Sequence, residues 1–139
     1  MHLEHTSVSG LYIIHDLLNY EEQTKYFDLL QEENYELTRS SSRRYYSYVP
    51  WETVKGKRVP KKDYPDLPNY AQEIVQKILL AVKQLFPRTD WSSYDAMRES
   101  KNTELQVNEY SMDSMIPFHH DDLNSYRQVI FGVSLGSDW

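Results

Sequence analysis

Between Ala71 and Phe86 the apolar residues Ala71, Ile74, Val75, Ile78, Leu79, Val82, Leu85 and Phe86 recur at helical spacing, and Pro87 stops the run. A helix with one apolar stripe must bury it against another layer. Downstream the period changes from helical to alternating. Leu105 and Val107 alternate with Gln106, Asn108 and Tyr110, which predicts a half-buried strand with Asn108 and Tyr110 on one face. Arg127 to Leu135 alternates too, placing Val129, Phe131, Val133 and Leu135 on one side. Helices first and consecutive strands after predict an α+β fold, with helices packed on a sheet or barrel.

Upstream, Gly10 to Ile14 reads as a short strand. Asn19 with Glu22 three residues on gives a capping-box start to a helix over about 20–32. Tyr45 to Val49 has strand character, and Pro50, Gly56, Pro60, Pro65 and Pro68 then punctuate a long loop. At 139 residues, 1–139 is expected to be a single domain, without internal repeats. No run reaches the length of a membrane span, no basic-then-apolar leader opens the chain, and there is no cysteine. The expectation is an intracellular protein, cytoplasmic or nuclear, with no membrane partner.

The net charge of −6 argues against indiscriminate binding to polyanions, but the charge is unevenly spread. Residues 39–62 hold Arg39, Arg43, Arg44, Lys55, Lys57, Arg58, Lys61 and Lys62 against the single acid Glu52. That window is therefore +7 and the remainder −13. Arg43 and Arg44 run directly into Tyr45, Tyr46, Tyr48 and Trp51. Cations attract phosphates, and flat rings stack on exposed bases for ~1–3 kcal/mol each. The alternative is a solvated basic loop whose tyrosines plug the core.

The chemistry-bearing segment is His119-His120-Asp121-Asp122. An imidazole and a carboxylate two residues apart on an extended strand point the same way and can share one divalent ion. They are two members of the 2-His-1-carboxylate set of non-heme Fe(II) oxygenases. Both His119 with Asp121 and His120 with Asp122 satisfy the pattern, on opposite faces. Asn108 and Tyr110 can donate hydrogen bonds to a bound dicarboxylate without adding charge. His2, His5 and His15 lie in the N-terminal segment, where a surface role is expected.

Asn108-x-Tyr110, then His119-x-Asp121-Asp122, then an apolar strand ending in Ser134-Leu135-Gly136 resembles the first half of the catalytic core of AlkB-like dioxygenases. The likeness is sharp over 104–136. It implies helices packed on the first strands of a double-stranded β-helix (jelly-roll) core, with the barrel incomplete. It implies Fe(II) and 2-oxoglutarate as cofactors and O2 as co-substrate, with oxidative dealkylation of DNA or RNA bases as the reaction. By it His119 and Asp121 are catalytic iron ligands, and Asn108 and Tyr110 contact 2-oxoglutarate. Asp122 joins Arg43, Arg44, Tyr46 and Tyr48 in substrate binding, with 39–62 as a nucleotide-recognition lid. The family's third iron ligand, a second histidine, and its 2-oxoglutarate arginine lie further downstream. After residue 120 this chain has no histidine and only Arg127. The expectation is therefore part of a longer enzyme, a monomer when complete and inactive as this piece. The rival expectations are a catalytically dead nucleic-acid-binding module, a dioxygenase with a protein or lipid substrate, and an unrelated α+β binding domain.

Overall fold

The computed structural model describes residues 1–33, 36–37, 44–92, 94–95, 103–111 and 129–136. Two strands, β1 (His2–His5) and β2 (Tyr12–His15), form an antiparallel hairpin pairing His2 with His15 and His5 with Tyr12. The sequence expectation of a strand over 10–14 is thus shifted, and the polar start of the chain supplies its partner. The rings of His2 and His15 stack at 4.3 Å, and His15 Nε2 shares a 2.7 Å hydrogen bond with Glu4 Oε2. Polar residues make a strand here because cross-strand pairing of side chains stabilises it.

Helix α1 (Tyr20–Gln31) begins with the capping box expected of its sequence. Asn19 Oδ1 accepts from the Glu22 N–H at 2.9 Å, and Glu22 Oε2 accepts from the Asn19 N–H at 3.0 Å. The second helix, α2 (Asn69–Leu85), ends just before Pro87 and buries Tyr70, Ala71, Val75, Ile78, Leu79, Ala81 and Val82. Its apolar stripe therefore faces the core. The two helices run antiparallel, since contacts that climb along α1 descend along α2. Glu22 pairs with Lys77, Lys25 and the Tyr26 hydroxyl with Glu73, and the Tyr70 hydroxyl donates to Glu33. Lysine and hydroxyl hydrogen bonds hold the Glu73 carboxyl below its usual pKa, and the Lys77 hydrogen bond does the same for Glu22.

A three-stranded antiparallel sheet has the order β3 (Glu36–Leu37), β4 (Arg44–Tyr48), β7 (Leu105–Glu109). Between β4 and α2 the sequence suggests only a loop. The structure instead forms a hairpin of β5 (Trp51–Val54) and β6 (Lys57–Pro60). Its two-residue turn puts Lys55 at φ 51° and Gly56 at φ 74°. Two successive positive φ values match the right-handed twist of the flanking strands, and glycine takes the second at little cost.

The core gathers Leu18, Tyr26, Tyr48, Leu67, Tyr70 and Ala71, with Leu105 and Leu135 packed against it. The strand expected over 127–135 is corrected where it is described: residues 129–136 form no strand. Val129, Phe131 and Leu135 are half-buried while Ile130 is exposed, so part of the alternation survives without a hydrogen-bonded ladder. Gly136 packs closely on the Phe27 ring at φ 91°. The fold is α+β, two helices with short antiparallel sheets, and no closed barrel exists among the described residues.

Candidate functional site

The site is built on β7. Its register against β4 sets Tyr46 opposite Val107 and Tyr48 opposite Leu105. Directly opposed residues share a sheet face, and Tyr46, Tyr48 and Leu105 all join the core. The other face carries Ser47, Gln106 and Asn108, because side chains alternate along a strand. Tyr110 follows the end of β7 and is half-buried, as is Asn108. Gln106 Nε2 donates to Asn108 Oδ1 at 3.2 Å along that face.

Tyr46 and Tyr48 are consequently placed on the opposite face of the sheet from Asn108. Tyr48 is only 5% exposed, and its ring meets Tyr64 edge-on at 4.9 Å. Its hydroxyl donates to the Pro65 carbonyl. Burial, and then the neighbouring Tyr64, push its pKa up to about 12. A ring so enclosed has no face to offer a base, so base stacking by Tyr48 is replaced by a core role. Tyr46 is half-buried against the same cluster, and burial raises its pKa as well.

The basic window is divided by the fold. Arg44 occupies β4 opposite Glu109, whereas Arg43 lies outside the described residues. Lys55, Lys57 and Arg58 stand exposed on the β5–β6 hairpin. The Arg58 guanidinium lies 5.0 Å from the centre of the Trp51 ring, and the Lys61 ammonium 4.6 Å from that of Tyr64. The Trp51 indole N–H is buried without an acceptor among the described residues. An exposed prong of three cations beside a half-buried indole suits an anionic, ring-bearing ligand.

His119, Asp121 and Asp122 lie outside the described residues, so the iron-ligand set rests on the sequence. Among the described residues no three histidine, aspartate or glutamate side chains are grouped to hold a metal ion. The donors themselves, one imidazole and one carboxylate with an amide and a phenol nearby in sequence, fit iron and a keto acid chemically. Gln106 shares the Asn108 face, as the alternation along the strand implies.

No family model matches the chain, and no solved structure matches it. It is 24% identical over 136 residues to "Uncharacterized protein L905" of Acanthamoeba polyphaga mimivirus, a match that covers 94% of this chain. The same match covers 55% of the viral protein, so the chain spans about half the length of the curated relative it matches.

Proposed function

We propose that this chain contributes the first part of an AlkB-like, Fe(II)- and 2-oxoglutarate-dependent dioxygenase that removes alkyl groups from nucleic-acid bases. The observation that carries the reading is the ordered run Asn108-x-Tyr110, His119-x-Asp121-Asp122, Ser134-Leu135-Gly136. The position of Asn108 supports it, on a strand whose other face is committed to the core. His119 and Asp121 hold the metal, while Asn108 and Tyr110 donate hydrogen bonds to the keto acid. Asp122 and the cations Arg43 and Arg44 orient the substrate. Bound there, iron and 2-oxoglutarate supply an O2-dependent hydroxylation of the N-alkyl carbon, releasing succinate, CO2 and an aldehyde. The third ligand and the 2-oxoglutarate arginine come from sequence outside 104–136 in the intact protein, where the jelly-roll is completed.

The test uses the protein expressed from the extended reading frame. With Fe(II) and 2-oxoglutarate under anaerobic conditions, it develops the visible iron–keto acid charge-transfer band, and His119→Ala or Asp121→Ala abolishes it. A band that persists in both variants refutes the ligand assignment. Succinate release is coupled to an alkylated single-stranded oligonucleotide and falls when Arg43 and Arg44 become glutamate. Unchanged turnover in that double variant points to a substrate other than nucleic acid. The 139-residue chain alone binds iron weakly and releases no succinate.

The exposed Lys55, Lys57 and Arg58 favour a second reading, a nucleic-acid-binding module without catalysis. Salt-sensitive oligonucleotide affinity that His119→Ala leaves unchanged, in a protein without succinate release, selects it.

A further inference from the structure

An asparagine amide has two ends with opposite chemistry: Oδ1 accepts and Nδ2 donates. Only Nδ2 can meet a carboxylate. Strand geometry sets the face on which Asn108 stands, but a half-turn about its terminal bond exchanges the two ends. Gln106 supplies the missing instruction. It sits two residues earlier on the same face, and its Nε2 donates to Asn108 Oδ1 at 3.2 Å. An amide whose Oδ1 accepts from Gln106 keeps Nδ2 as its donor end. Gln106 is itself exposed and stands opposite Ser47 on the face that the core does not use. Core packing therefore gives no reason for a glutamine there.

We infer that Gln106 is a positioning residue for the dicarboxylate subsite, acting by fixing which end of the Asn108 amide is presented to the ligand. The inference rests on the reading of Asn108 as a 2-oxoglutarate contact. It goes beyond that reading by assigning specificity to a residue outside the Asn-x-Tyr pair. Asparagine alone would present donor and acceptor alike. Asparagine with a donor behind it discriminates in favour of an anion.

The experiment follows the side-chain amide NMR signal of Asn108 and the ring signals of Tyr110 in the protein expressed from the extended reading frame. Zn(II) serves as a diamagnetic substitute for iron, and 2-oxoglutarate is titrated in. In the wild type both residues respond. Gln106→Leu raises the dissociation constant about fivefold, the scale of one lost hydrogen bond, while the β4 and β7 backbone amides keep their shifts. Gln106→Lys restores a donor and recovers affinity to within about twofold in roughly 1 M salt, where charge effects beyond about 3 Å are screened. Equal affinity in the wild type and Gln106→Leu overturns the positioning role while leaving Asn108 a contact. Displaced backbone amides in Gln106→Leu, with no recovery in Gln106→Lys, assign Gln106 to the strand's stability instead. No response of Asn108 or Tyr110 in any form overturns both the contact reading and the inference built on it.

Discussion

Gly136 has two independent reasons to be glycine. Its φ of 91° lies where side chains are strained, and an added Cβ would sit 2.7 Å from Phe27 Cε2. Phe27 is 42% exposed, so its ring can swing away, whereas the backbone strain has no such relief. Gly136→Ala is expected to cost about 1–2 kcal/mol in urea unfolding, and shortening Phe27 to leucine should not recover it. A double variant as stable as Phe27→Leu alone would show that the contact, not the dihedral, dominates. Two buried tyrosines make a separate claim about alkaline pH. Burial comes first for both, followed by the Glu73 hydrogen bond for Tyr26 and by Tyr64 for Tyr48, and each pKa rises from 10.0 to about 12. The folded protein thus keeps protons that the unfolded chain releases. Their contribution is complete below pH 10 and is lost as pH climbs toward about 12. Thermal melts across that window should fall steeply in the wild type and more gently in Tyr26→Phe.

Helix α2 shows which element the sequence specifies best. Its stripe is long and regular, and neighbouring leucines on it meet opposite fates. Leu79 is 0% exposed and Leu80 63%. Leu79→Ala should cost about 2–5 kcal/mol, and Leu80→Ala should stay within about 0.5 kcal/mol, measured by chemical denaturation. Similar losses at both positions would mean that Leu80 is covered in solution. The capping box of α1 was equally legible because it is local, depending on Asn19 and Glu22 alone. The β5–β6 hairpin was not, since Lys55-Gly56-Lys57-Arg58 between prolines has the composition of a loop. What defines those strands is a pair of positive φ values and mutual pairing, neither of which leaves an apolar alternation. The segment at 129–135 errs in the opposite direction. Alternation there signals one half-buried side, but a strand also needs a hydrogen-bonding neighbour, which no pattern within the segment can supply. Asn108 was readable by its alternation on β7. For Tyr48 the sequence leaves two readings open, a ring beside cations or a plug of the core, because facing direction depends on the β4–β7 register.

At the scale of the molecule, the basic window is divided between two sheets: Arg44 lies on β4 beside β7, and Lys57 and Arg58 lie on β6. The +7 of residues 39–62 is carried partly on the β5–β6 hairpin, while Asn108 lies on β7. The hairpin's base is fastened at three points. The Lys61 N–H donates to the Pro50 carbonyl at 2.9 Å, the Val49 N–H donates to the Tyr64 hydroxyl at 3.1 Å, and the Tyr48 hydroxyl donates to the Pro65 carbonyl. Its tip, by contrast, offers Lys55, Lys57 and Arg58 to solvent. Limited trypsin should therefore nick the tip first. The two pieces should co-elute in native gel filtration and separate only in denaturant, whereas early separation would show that the three fastenings are weak. A clasp that survives such a cut also makes the tip a tolerant splice point, where a fluorophore-bearing insert would report on ligand approach while the body of the protein keeps its shape.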